Sequence, residues 1–135
     1  MSPGFLKPLV RSPGDPFALR NTRNGRLVAA RLEPAFDSDT RRRGLMGRQG
    51  MDTGSALVIA PSNSVHTFFM KFPIDIVFAG RDGRVLKVRP RVGPWRMTGA
   101  LRGFAVIELP SGSAQLADVR VGDVLEVVPA GPPAG

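Results

Sequence analysis

A glycine or proline interrupts this chain about once every five residues: 16 glycines and 13 prolines in 135. That frequency excludes a helical bundle. Proline removes a helix hydrogen bond, and glycine weakens a helix by about 1 kcal/mol relative to alanine. Short strands joined by turns tolerate both. The length supports one domain with its own core, not two. The core must therefore come from short strands.

Read in order, residues 1–16 form an irregular Pro/Gly-rich arm, 17–128 a single β domain and 129–135 a disordered tail. Phe17 to Asn21 reads as a strand, and Asn24-Gly25 suits a tight turn into a returning strand from Arg26 to Glu33. Asp37-Ser38-Asp39-Thr40 followed by Arg41-Arg42-Arg43 predicts a short helix with acids in front and bases behind, closed by Gly44 or Gly47. Strands are expected at 56–60, 65–71, 74–79, 84–91, 104–109 and 124–128. Pro73 marks a kink, and Asp82-Gly83 marks a hairpin. Residues 90–103 read as a long loop, and 110–119 as a turn into a second short helix. Hairpins dominate and no βαβ rhythm shows. The expected fold is mainly β: a small antiparallel barrel or sandwich with one or two short helices.

The stretch from Val65 to Gly83 is the most apolar in the chain, and it holds the only histidine, His66, with Lys71 and Asp75. Histidine alone titrates near neutral pH without help. If 65–71 is a regular strand, His66, Phe68 and Met70 share one face. His66 with Met70 then forms a site, or else His66 is a core histidine bonded to a carbonyl. Asp75 between Ile74 and Ile76, and Glu108 in Val-Ile-Glu-Leu-Pro, are carboxylates among apolar neighbours. Each needs a partner if buried. They are either structural anchors or an acid/base pair. Trp95 beside Arg96 marks a binding surface or a lid. Arg48, His66, Met70, Lys71 and Trp95 are the candidate ligand-binding residues.

Other chemistries find little support. Without cysteine there is no disulfide, thiolate zinc site or cysteine nucleophile. Met46, Met51, Met70 and Met97 with His66 could suit copper(I), but no Met-x-Met or Met-x-x-Met cluster occurs, so no metal or cofactor is expected. Gly44, Gly47 and Gly50 lack the Gly-Lys-Ser/Thr of a phosphate loop. Ser111 and Ser113 suit helix capping better than anion binding. The net charge is +8, carried by 16 Arg and 3 Lys spread along the sequence. That dispersal fits a solvated surface rather than a specific nucleic-acid interface. No transmembrane segment or signal-like run occurs. The expected location is cytoplasmic, or exported or periplasmic if a leader was removed.

Five motifs in order, Arg41–Arg48 (RRRGLMGR), His66–Phe78 (HTFFMKFPIDIVF), Asp82–Val85, Val106–Gly112 (VIELPSG) and Val121–Leu125 (VGDVL), resemble the bacterial and archaeal family of domain of unknown function 192. The resemblance covers about residues 17–128. It implies a compact, mostly antiparallel β domain of no established activity, with an export leader in many members. Phe69 stands where many members carry Trp. Three functions remain open. The first is a non-catalytic binding domain for a small molecule or extended peptide. The second is a cell-envelope assembly or accessory protein acting through a protein surface. The third is a hydrolase or lyase using His66 with Asp75 or Glu108.

Overall fold

The computed structural model describes residues 3–132. Ten strands are present among them: β1 (Phe17–Asn21), β2 (Leu27–Ala29), β3 (Arg31–Ala35), β4 (Ser55–Ile59), β5 (Ser64–His66), β6 (Ile74–Ala79), β7 (Val85–Val92), β8 (Met97–Gly99), β9 (Ala105–Pro110) and β10 (Leu125–Pro129). Three short helices accompany them: α1 (Lys7–Arg11), α2 (Ser38–Arg43) and α3 (Ser113–Leu116). The strands form a three-stranded sheet β10-β1-β2, a five-stranded sheet β3-β4-β9-β6-β7 and a two-stranded ribbon β5-β8. The architecture is mainly β and sandwich-like, without a closed barrel.

The five-stranded sheet is apolar on both faces, which is why β6 (Ile-Asp-Ile-Val-Phe-Ala) is buried at every position. One face, with Val58, Val77, Ala79, Ile107 and Leu109, packs against Leu19, Leu125 and Val127 of the small sheet. The opposite face, with Leu57, Ile74, Ile76, Phe78 and Val106, packs against Leu45 and Met70.

Several expectations change. The arm is not irregular: a 3-10 turn at Gly4–Leu6 runs into α1, and Leu6 and Leu9 are fully buried in the inter-sheet core. At the other end, Pro129 pairs with Phe17, and the Ala130 amide donates to the Pro16 carbonyl. Order therefore extends into the expected tail, whose residues 133–135 lie outside the described ones. The strand expected at 26–33 divides at Ala30, with β2 joining the small sheet and β3 the large one. β3 then pairs parallel to β4 across α2, so one βαβ crossover does occur. The strand expected at 65–71 ends at His66, because the chain turns at Thr67–Phe69 to reach β6. The expected loop 90–103 contains β8, which pairs with β5.

Candidate functional site

β9 alternates. Ala105, Ile107 and Leu109 enter the inter-sheet core, while Val106 and Glu108 face the opposite side. Glu108 sits across from Ile76 on β6 and Leu57 on β4, and both belong to that opposite face. It is 1% exposed. Its Oε1 is buried and has no hydrogen-bond partner, a property shared among the described residues only by Thr98 Oγ1. Burial pushes the carboxyl up to about 7, against the opposing pull of the Arg48 charge.

Over Glu108 lies a cleft of about 160 Å³. One wall is the end of α2 and the turn after it. Asp37 caps α2 by accepting from the Thr40 amide at 2.9 Å, and Gly44 ends it at φ 51°. The cap bonds draw the Asp37 carboxyl below its ordinary range. This local order places Arg41, Arg42 and Arg43 along the cleft, where Arg41 is held by the Phe36 carbonyl at 2.6 Å. Gly44 is needed for room as well as for its angle. A Cβ there would lie 3.3 Å from Glu108 Oε1. The other wall is β5, with Ser64, Val65 and His66, and Met70 completes the apolar lining.

The His66 wall continues outward as a run of rings. His66 stacks on Phe68 at 4.9 Å, Phe68 on Trp95 at 5.6 Å, and Trp95 meets Phe69 edge-on at 4.8 Å. Phe69, Trp95 and Met97 are 64%, 59% and 72% exposed. Both Phe69 and Trp95 hold φ at 65°, a left-handed conformation that bulky residues rarely adopt. Buried Thr67 fixes these two turns together. Its hydroxyl donates to the Gly93 carbonyl at 2.7 Å and accepts from the Arg96 amide at 2.9 Å, and its carbonyl accepts from the Trp95 amide.

The sequence candidates part company here. His66 and Met70 line the cleft; Trp95 lies outside its lining and is joined to His66 through the Phe68 ring. His66 is exposed, so the core-histidine reading fails. Arg48 is bound to Glu33 and lines a separate depression with Arg31 and Met51. Lys71 is exposed and outside the cleft. Asp75 lies across from Leu109, on the face turned away from Glu108. Three backbone amides hold it: Oδ1 accepts from the Arg91 amide at 2.9 Å, and Oδ2 from the Gly112 and Ala114 amides at 3.0 and 2.9 Å. An Asp75–Glu108 acid/base pair is therefore excluded, because the sheet stands between them. Met46 joins His66 and Met70 in the cleft, while Met51 lies apart. Among the described residues no three His, Asp or Glu side chains converge as a metal site would require.

Sequence reasoning missed Arg41–Arg43 as a wall, because locally they are the basic end of a helix. It also missed a polar network far from the cleft. Buried Asp123 accepts from Asn21 Nδ2 at 2.8 Å, Arg23 Nε at 2.7 Å and the Arg120 amide at 2.9 Å. Burial alone would raise the Asp123 carboxyl, but these donors together hold it below its ordinary range. The Val-Gly-Asp motif was a usable signal for an anchored turn.

No helix among the described residues is long and apolar enough to cross a membrane. The family model of domain of unknown function 192, described as an uncharacterized ACR, matches residues 19–127. Two solved structures share the fold. A protein of unknown function from Novosphingobium aromaticivorans DSM 12444 has a TM-score of 0.71 and 24% identity, covering 82% of this chain and 83% of that one. A protein from Sinorhizobium meliloti 1021, whose description proposes a transcription regulator, has a TM-score of 0.72 and 23% identity, covering 82% of this chain and 91% of that one. No curated protein matches the chain significantly.

Proposed function

The chain belongs to the family of domain of unknown function 192, and from that premise we propose that it is a non-catalytic binding domain whose cleft over Glu108 takes a small ligand or extended peptide bearing an anionic group. The observation that carries this reading is Glu108, a residue of the cleft lining whose Oε1 is buried without a partner. Such an atom destabilises the fold by about 1–3 kcal/mol, and a bound polar group recovers that loss. Arg41, Arg42 and Arg43 make the surroundings positive, and near neutral pH a large part of Glu108 is the uncharged acid. Anions are therefore attracted rather than repelled. The rings beyond His66 offer a stacking surface for an apolar part of the ligand. The Sinorhizobium protein, at 23% identity, shares the fold alone.

The test is a thermal-shift and calorimetric screen with inorganic phosphate, phosphate esters, dicarboxylates and short acidic peptides. A binder raises the melting temperature by mass action. The Arg42→Ala/Arg43→Ala double variant then loses at least tenfold in affinity. A screen in which no anion stabilises the protein would refute the reading.

A second reading, a hydrolase or lyase using Glu108 with His66, draws on the carboxyl pushed up to about 7, which suits a general acid. Glu108→Gln separates the two. Turnover would vanish in the variant, whereas simple binding would persist and lose its pH dependence.

A further inference from the structure

We propose that the ligand of this cleft is an extended acidic peptide that adds to the free edge of β5 as a third strand, a reading that rests on the cleft being the binding site. The ladder itself carries the inference. The Ala100 amide donates to the Asn63 carbonyl at 2.9 Å, the Thr67 amide donates to the Arg96 carbonyl at 2.8 Å, and Val65 stands opposite Thr98 between them. Antiparallel pairs alternate between bonded and non-bonded. Asn63, Val65 and Thr67 therefore turn their main-chain groups toward β8, and Ser64 and His66 turn theirs away from it. Among the described residues the ribbon has two strands and no strand lies beyond β5. The Ser64 carbonyl accepts from Ser62 Oγ at 2.9 Å. Outside the strand ladder, no hydrogen bond from the Ser64 or His66 amide is found among the described residues.

Open edges are ordinarily guarded by proline, lysine, a bulge, a covering loop or shortness, and at three residues β5 has the last of these. Ser64-Val65-His66 has none of the first three: its register with β8 is continuous, and Ser64 and His66 are exposed. Ser64, Val65 and His66 line the cleft together with Arg41–Arg43. Arg42 and Arg43 make no ion pair among the described residues, and Glu33, the nearby exposed carboxylate, is taken by Arg48. A strand laid on β5 satisfies the outward amides, and an acidic side chain or terminal carboxylate on it meets the arginines. A small anion would use the arginines and leave the edge unpaired. Main-chain pairing would supply affinity, and the side chain entering the cleft would supply selectivity.

The test uses two probes on the intact chain. One is a pool of acetylated, amidated hexapeptides alternating Val, Ile, Leu or Phe with Asp, and the other is glutarate. Amide hydrogen exchange by NMR is the readout. The expected result is at least tenfold slower exchange at Ser64 and His66 with peptide, and no change at Val65, which already faces Thr98. N-methylation of one alternate set of peptide amides should weaken binding at least tenfold, and of the other set hardly at all. Ser64→Pro deletes an outward donor and no ribbon bond, so it should lose the peptides. If that variant misfolds, the N-methyl series on the unaltered protein decides. Glutarate binding with no peptide protection at Ser64 and His66 overturns strand addition and leaves the anion cleft standing. Binding of neither probe overturns both.

Discussion

Glu108 and Asp75 show how differently one residue type behaves one strand apart. Asp75 accepts from three backbone amides and ties the β7 end and the start of α3 to β6. Asp75→Ala should destabilise the fold by about 1–3 kcal/mol through the donors it strands, seen as a lower urea midpoint. An unchanged midpoint would show those bonds to be dispensable. Glu108 is the opposite case, buried with an oxygen unpaired. Its folded pKa is raised from 4.5 to about 7, so the unfolded chain ionises first as pH rises. The folded state therefore loses stability through that window and levels off above it. By linkage the loss amounts to about 3 kcal/mol. Comparing denaturation of wild type and Glu108→Gln from pH 4 to 8 isolates this contribution. The difference should shift in favour of Gln as pH rises, and a flat difference would mean the carboxyl is already ionised when folded. His66, exposed on the ribbon, should tolerate His66→Ala with a stability change within about 1 kcal/mol.

At the scale of elements, tight turns and one buried hydroxyl decide where the site's walls stand. The β6–β7 hairpin turns at Gly83, where φ is 83° and a Cβ would lie 2.4 Å from the Leu125 carbonyl oxygen. Gly83→Ala should cost more than about 1 kcal/mol, since neither backbone can give way easily. A calorimetric melting point equal to wild type would contradict that packing. Thr67 joins the β5–β6 turn to the β7–β8 loop. Thr67→Val keeps the shape and removes both side-chain bonds. The expected outcome is a loss of about 1–2 kcal/mol and a red shift in the fluorescence of Trp95, the only tryptophan, as its loop loosens. Unaltered fluorescence would mean that the loop is held by its ring contacts alone.

For the whole molecule, the two faces of one sheet divide the labour. The inter-sheet face builds the larger core, and the opposite face carries Glu108 and the cleft. The N-terminal segment belongs to that larger core. Leu9→Ala should therefore destabilise by about 2–5 kcal/mol, as buried leucine truncations do. A change of a few tenths by denaturant titration would return the segment to the status of an arm. Much of this plan is legible in the chain. Asn24-Gly25 and Asp82-Gly83 fix turns by local backbone freedom, Asp37 caps α2, and the apolar run at 74–79 marks the sheet's buried centre. These are short-range matters, settled within a few residues, so the mainly β class, the hairpins and the short helices follow from sequence. The site does not. Asp75 and Glu108 look alike as carboxylates among isoleucines and leucines, and only the register of β6 against β9 puts them on opposite faces. Where the strand after Val65 stops, whether 97–99 pairs, and which arginines face Glu108 depend on contacts between segments tens of residues apart. Tertiary packing decided these points, because a one-residue slip in register reverses every face and no local preference is strong enough to prevent it.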